Sequence, residues 1–528
     1  MKRIIGKLNK QRTLGAAAFL ISVSYLLSRL LGLVRDRLLA SNFGIGAQTD
    51  AYTAAFRIPD LLFTLLVSGA FAVAFIPVFV GYLEKDKEKE AWQVANILLN
   101  GIILVTTIFG IFAWIFAVPL VSLIAPGFND AQLQLTANLT RIMLATPLLF
   151  GLANIFGAIQ QSYNRFLVFA LASVFYNLGI IVGILFLSKL FTPAIYGVAW
   201  GVVAGTALQA LIQFGGVLAL GFRYSFNVRF THPAVRKIVG LMIPRSLDLG
   251  IDQFNVIIET AIGSHLAAGS LTSYYYANNL RNVPLGLFGG AIATAAFPRL
   301  IRAAKSNDKS RLPSAVVRNV GLVVFLTVPA AAIAIIMRGY IVRLLFGFGD
   351  QVTADALGWL ALSIVAQSIF FLIARVFYSL EDTKTPLFAS IASIFLNVGL
   401  SIVLSKMFGV SGLAMALSIT TTTELIALML LLRRKIGPYG LKSITIQVAK
   451  VALASFIMAL AMYGLVSRVL PLLRGDAGFM VVGTKFAVIS AGGLIVYLLS
   501  ARLLKVGETE VAFRSFEKLK GRLAKLHG

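Results

Sequence analysis

Runs of about 20 or more mostly apolar residues follow one another along nearly the whole chain, and the polar positions collect in short stretches between them. A helix of about 20 such residues crosses a hydrocarbon core about 30 Å thick. The pattern predicts about fourteen transmembrane helices, near 14–40, 50–81, 93–124, 131–160, 166–189, 195–221, 238–263, 271–298, 319–345, 353–379, 386–407, 410–432, 446–470 and 480–503. The expected fold class is an all-α polytopic membrane protein.

The pattern also repeats. Gly69-Ala-Phe-Ala-Val-Ala-Phe-Ile-Pro77 and Gly290-Ala-Ile-Ala-Thr-Ala-Ala-Phe-Pro298 both read GAxAxAxxP, an offset of 221 residues (69 to 290). Ala172, Ser173, Phe175, Asn177 and Gly179 recur as Ala392, Ser393, Phe395, Asn397 and Gly399, an offset of 220 (177 to 397). Six expected spans separate the copies, so both halves run in the same sense. That is a parallel repeat of two six-helix lobes about an axis along the membrane normal. The lobes are expected at 1–221 and 222–432, followed by two extra helices over 433–503 and a basic amphipathic tail over 504–528. In the tail Ala512, Phe516, Leu519, Leu523 and Leu526 share a face, which suits an interfacial helix on anionic membrane lipids. Gly197, Gly201 and Gly205, four residues apart, predict close helix packing.

Composition narrows the class. The chain is 58% hydrophobic and 13% charged, with a mean hydropathy of +0.88, where soluble domains carry about 25% charged residues. It has no cysteine, which excludes disulfides and thiolate metal sites, and only three histidines, His232, His265 and His527, without ligand spacing. A net charge of +26 would suit nucleic acid, but the lysines and arginines sit mostly in short loops, where the positive-inside rule puts them. No nucleic-acid partner is expected. The basic start, Met1 to Thr13, resembles a signal peptide without a small-residue cleavage site and is read as the lead-in to a retained first helix. One set of loops holds Lys85, Lys87, Lys89, Arg223, Arg229, Arg236, Lys237, Arg299, Arg302, Lys305 and Arg433 to Lys435. The opposite set has little beyond Lys189, Arg468 and Arg474, so both termini are expected in the cytoplasm. There is no Walker A sequence, no dinucleotide-binding fingerprint and no HExxH. No loop is long enough for a catalytic domain, and an enzyme is not expected.

Charges inside spans are costly and mark candidate sites. The first half places Arg29, Arg35, Asp36 and Arg37 in span 1, Asp50, Arg57 and Asp60 in span 2, and Arg141 in span 4. The second half opens with Arg245, Asp248, Asp252 and Glu259 in span 7 and Arg281 in span 8. Arg338, Arg343 and Lys450 lie near helix ends and are read as snorkelling residues. Arg57 and Asp60, three apart, could pair. Arg29 and Arg35 sit well inside span 1, with Gly32 between them to admit a neighbouring group. The clustering of arginine in spans 1, 2, 7 and 8 predicts a cavity between the lobes that receives an anion, because the guanidinium fork matches phosphate.

The block Ser28-Arg-Leu-Leu-Gly-Leu-Val-Arg-Asp36, Phe43-Gly44, Thr49-Asp-Ala-Tyr52, Phe56-Arg-Ile-Pro59 and Gly69 to Pro77 strongly resembles the MurJ (MviN) lipid II flippases. The likeness continues through Tyr274-Tyr-Tyr-Ala277, Val283-Pro-Leu-Gly286, Arg375-Val-Phe-Tyr378 and Asp382-Thr-Lys-Thr-Pro386. This family belongs to the multidrug/oligosaccharidyl-lipid/polysaccharide exporter superfamily. The resemblance implies fourteen helices in two lobes, with the last two forming a groove for the lipid tail. It implies substrate contacts at Arg29 and Arg35, and matches Asp36 and Asp50 to family aspartates. Arg57, Asn279 and Arg281 complete the expected substrate-binding set. Phe63 and Ser68 stand where many members carry an arginine and a glutamate, and Asn279 where many carry an arginine, with Arg281 two residues on. Pro284 is expected to distort the helix there and let Arg281 reach the cavity. Glu259 and Asn397 match part of a monovalent cation site, but Ser401 replaces a carboxylate, which counts against sodium coupling. No cofactor is required. The implied activity is transfer of undecaprenyl-diphosphate-linked peptidoglycan precursor, lipid II, across the bacterial cytoplasmic membrane by alternating access, by a protein expected to be monomeric. The alternatives are an exporter of another lipid-linked oligosaccharide or a multidrug antiporter, whose cationic substrates would want acidic walls.

Overall fold

The computed structural model describes residues 14–67, 70–308, 310–473, 475–476 and 478–509, and among them every regular element is helical. A bilayer core offers no water to an unpaired N–H or C=O, so a chain this apolar satisfies its backbone within helices. Twelve stretches of the described residues are long and apolar enough to cross a membrane. Two further helices, Leu14–Phe43 and Pro233–Ser264, stand where the first and seventh spans were expected. The amphipathic tail lies outside the described residues from position 510 onward, as do Ser68, Gly69 and Arg474, and the side chains of Arg245 and Asp248.

The chain forms two compact units, divided between Thr272 and Ser273. The first contains α1 (Leu14–Phe43), α2 (Ala47–Ala55), α3 (Arg57–Leu66), α4 (Ala70–Leu83), α5 (Glu88–Ile115), α6 (Ala117–Ile124), α7 (Asp130–Met143), α8 (Ala145–Ser162), α9 (Leu167–Leu185), α10 (Ile195–Leu218) and α11 (Pro233–Ser264). α12 (Ser270–Pro284) starts at the boundary. The second unit continues with α13 (Ala291–Ala304), α14 (Arg311–Ile336), α15 (Arg338–Phe346), α16 (Gln351–Ser379), α17 (Lys384–Phe408), α18 (Val410–Ile436), α19 (Leu441–Gly464) and α20 (Phe479–Leu503). The repeat assigned 222–432 to the second lobe, but α11 packs on α3 and α4 within the first unit.

Several expected spans are divided into successive helices, and a proline accompanies three of the breaks. α3, α6 and α8 each restart with a proline at their third residue, Pro59, Pro119 and Pro147. A proline cannot donate to the carbonyl four residues back, and in lipid that carbonyl needs another partner. Thr140 Oγ1 donates to Ala55 O, four residues before Pro59, at 3.4 Å. Thr146 Oγ1 serves Met143 O, four before Pro147, at 2.8 Å. In the second unit Pro329 lies inside α14 and frees Phe325 O, which Tyr497 Oη of α20 reaches at 2.7 Å.

Between apolar helices in lipid, contact quality rather than water exclusion drives association. α9 and α10 approach through glycine: a Cβ on Gly179 would lie 2.1 Å from Gly205 Cα, and one on Gly183 2.7 Å from Gly201 Cα. The close packing expected of Gly197, Gly201 and Gly205 is present: Gly201 and Gly205 face Gly183 and Gly179 of α9, and Gly197 meets the Leu187–Ser188 backbone. In α4, Phe71, Phe75 and Phe79 stack at 5.0 Å intervals and are buried against α5 and α8. α19 and α20 share one buried cluster with α14, α16 and α18, through Val451, Met458 and Ile489.

Candidate functional site

α1 is a 30-residue helix whose polar positions fall on different faces. Six residues turn a helix by about 600°, so Arg29 and Arg35 point about 120° apart. Arg29 is exposed and folds back on its own helix: Nε and Nη2 donate to Tyr25 Oη at 3.1 and 2.9 Å, with the guanidinium over the Tyr25 ring. Arg35 turns inward, its side chain 18% exposed, against a buried Asp36. Nε and Nη2 both donate to Asp36 Oδ1, at 2.9 and 2.7 Å. Nη1 donates to Asn177 Oδ1 of α9 at 3.3 Å.

Asn177 is the hinge of this cluster. Its Nδ2 donates to Ser28 O, Ser28 Oγ and Ser173 O at 3.1–3.3 Å, which ties α9 to α1. The group that Gly32 admits is this asparagine, whose Oδ1 would lie 3.8 Å from a Cβ there, an ordinary contact. Asn177 belongs to the internal repeat, but nothing in its sequence neighbourhood pairs it with Arg35. The available signal was an amide set in the otherwise apolar α9.

The remaining first-unit residues have separate tasks. Arg57 Nε donates to Thr260 Oγ1 of α11 at 2.9 Å, and among the described residues it forms no ion pair with Asp60. Asp50 was expected among the substrate contacts. Both its oxygens are instead engaged at the start of α12: Gly269 N donates to Oδ2 at 2.6 Å, and Thr272 N and Oγ1 donate to Oδ1 at 2.8 and 2.7 Å. Buried at a helix N-terminus, it satisfies donors that have no intrahelical partner. Gly269, at φ +93°, makes the turn that brings its N–H round. Glu259, buried on α11, accepts from Asn255 Nδ2 at 3.1 Å.

In the second unit Arg281 is buried and Nη1 donates to Asn278 Oδ1 at 2.9 Å. The distortion expected from Pro284 exists, but it lies beyond Arg281: Leu285–Gly290 form a π-helical turn, while α12 is regular up to Pro284. A Cβ on Gly289 would meet Ser368 Oγ at 2.5 Å, so the turn seats against α16. Asn279, one residue from Asn278, is half-buried. Asn397 and Ser401 are buried one turn apart on α17, which offers amide and hydroxyl oxygens but no carboxylate there. Glu259 belongs to the other unit, and among the described residues no three His, Cys, Asp or Glu gather as for a metal.

Several charges near helix ends have partners on neighbouring elements. Arg338 pairs with Asp355 at 3.4 Å, Arg343 donates to Leu473 O, and Lys485 pairs with Asp476 at 2.7 Å. Asp382, in the loop before α17, accepts from Lys435 Nζ at 2.5 Å and from Thr385 N and Oγ1 at 3.0 and 2.7 Å. Partial burial alone would raise its carboxyl pKa, but the bonds from Lys435 and Thr385 and the lysine charge outweigh that and hold it at about 2.

Comparison with known proteins supplies what side-chain geometry alone does not. In Buchnera aphidicola subsp. Acyrthosiphon pisum, a protein described as a probable lipid II flippase MurJ is 30% identical over 438 residues, 81% of this chain and 84% of that one. A Thermotoga maritima protein of the same description is 28% identical over 93% of this chain and 97% of its own length. A solved structure of the lipid II flippase MurJ in an inward closed conformation superposes with a TM-score of 0.76 at 23% identity, over 92% of this chain and 98% of that one, a shared fold. The family model for the lipid II flippase MurJ matches residues 39–482, most of the membrane-spanning region, and this multi-pass membrane chain belongs to that family.

Proposed function

We propose that this protein moves lipid II from the inner to the outer leaflet of the bacterial cytoplasmic membrane, with both termini in the cytoplasm. The observation that carries the reading is the Arg35–Asp36–Asn177 cluster, a half-buried guanidinium held between two helices of a family of lipid flippases. A guanidinium presents a planar fork that fits a diphosphate. Asp36 holds that fork while substrate is absent, and the diphosphate competes for it by offering more oxygens.

The headgroup site then opens to one side of the membrane and afterwards to the other, while the polyprenyl tail stays in lipid beside α19 and α20. A potential negative inside favours export of an anion by about 2.3 kcal/mol per charge per 100 mV. No step in this scheme passes through a bound cation or a covalent intermediate. The test is depletion in the native host, followed by identification of the lipid-linked precursor that accumulates on the inner leaflet. Accumulation of lipid II supports the reading. Accumulation of another lipid-linked saccharide, with lipid II still exported, overturns it.

A further inference from the structure

A second feature of the first unit lies away from Arg35. Between α10 and α11 the chain leaves helical form over residues 222–229 and runs along α5. Asn96 and Asn100, one turn apart on α5, hold it. Asn96 Nδ2 donates to Arg223 O at 3.1 Å and Asn96 Oδ1 accepts from Ser225 N at 3.1 Å. Asn100 Nδ2 donates to Ser225 O and Asn227 O at 3.2 and 3.1 Å. The two amides do for this strap what a helix does for itself: they give its backbone groups hydrogen-bond partners.

The strap ends at Phe230, which rests on Gly101 at the rim of a cavity of about 320 Å³. That is the small end of the roughly 300–1,000 Å³ typical of ligand pockets. Its walls come from α3, α4, α5 and α11. They are apolar apart from Ser246 and Thr106, and the Thr106 hydroxyl is spent on Ile102 O at 2.6 Å. Val105 of α5 and Val239 and Ile243 of α11 are 37%, 40% and 55% exposed, so the cavity opens outward along the α5–α11 seam. Above this opening stands Arg236, three residues before Val239 and seven before Ile243, hence on the same helical edge. Arg229, next to Phe230 on the strap, is exposed as well.

We propose that this cavity holds one acyl chain of an anionic bilayer phospholipid, with its phosphate on Arg236 and the strap arginine Arg229. An apolar cleft open to the bilayer with a cation at its mouth is complementary to such a lipid, and less so to a zwitterionic one, whose ammonium offsets its phosphate. The lipid fills the seam between α5 and α11 and steadies α11, the helix that carries Thr260 and Glu259. The site is separate from the Arg35 cluster and does not depend on what the protein transports.

The test uses the full chain in phosphatidylcholine nanodiscs. A small fraction of phosphatidylglycerol carries a photoreactive group near the end of one acyl chain, and adducts are mapped by peptide mass spectrometry. Adducts are expected on the cavity-lining parts of α5 and α11. Arg236→Gln should lower their yield about fivefold, the effect of one basic residue at an anionic surface. Ile243→Trp, which fills the opening, should abolish them while the protein still elutes as a folded species. Phosphatidylcholine with the same photoreactive chain should label as weakly as the Arg236→Gln variant does. Equal labelling by the two headgroups, or no effect of either substitution, overturns the proposal. So does displacement by undecaprenyl diphosphate but not by unlabelled phosphatidylglycerol, which would make the occupant a polyprenyl chain.

Discussion

At the scale of single residues, the charge that matters most is not free. Arg35 is bound to Asp36 and Asn177, so truncating it removes more than the substrate contact proposed above. Breaking a buried pair by removing one partner costs about 3–5 kcal/mol, an upper bound here because Arg35 keeps some exposure. Arg35→Ala is therefore expected to abolish export and also to lower membrane accumulation. The double variant Arg35→Ala/Asp36→Ala should recover accumulation without export, and Arg35→Lys should keep accumulation with partial export, since lysine retains charge but not the fork. Quantitative immunoblotting beside a complementation assay separates the two effects, and full export by the alanine variant would remove Arg35 from the site. Asp50 makes the contrasting case. Asp50→Ala strands the Gly269 and Thr272 donors and is expected to destabilise the protein by about 2–4 kcal/mol. Its thermal midpoint should drop in detergent, with export per folded molecule little changed. Along the chain these two residues look alike, because both are charges inside expected spans. The partners on other helices separate them: Arg35 meets an amide of α9, and Asp50 meets the first donors of α12.

At the scale of elements, span positions were legible because hydropathy is a local property, while the breaks were not marked. The prolines were visible, but the groups that take over the freed carbonyls lie on other helices, such as Thr140 for Ala55 and Tyr497 for Phe325. Tyr497→Phe should leave Phe325 O unpaired in an apolar setting and cost about 1–3 kcal/mol. The thermal midpoint reports it, and an unchanged midpoint would show that the carbonyl finds another donor. Asp382 ties the α16–α17 loop to the end of α18. Its carboxyl is held at about 2, below the unfolded value near 4, so the contribution is present above pH 4 and is lost as pH falls towards 2. Wild type should lose thermal stability between pH 4 and 2 more steeply than Asp382→Asn; parallel pH curves would show the tie to be inert. The effect is small, because the pair is partly solvated. The glycines of α10 signalled a close contact from their spacing, but the partner surface on α9 became evident only in three dimensions.

At the scale of the whole molecule, the orientation rests on loop charge and is open to direct test. The chain has no cysteine. A single cysteine at Ser306 or Gly437 should be shielded from an impermeant thiol reagent in intact cells, and one at Gly475 should react. The reverse pattern would invert the topology and with it the direction of transport proposed above. The sequence by itself determined the class, the approximate spans, the family and the concentration of charge in the first helices. Each of these depends on composition, period or motif along a contiguous stretch. Tertiary structure decided that α11 packs in the first unit, that Arg35 is braced by Asn177 from a helix about 140 residues away, and that Asp50 is a cap. It also decided that the π-helical turn begins after Arg281 rather than at it. For Arg35 and Asp50 the physical reason is the same. A polar group in an apolar medium takes whichever partner the packing of distant helices brings within about 3 Å, and that choice is not encoded in its own neighbourhood.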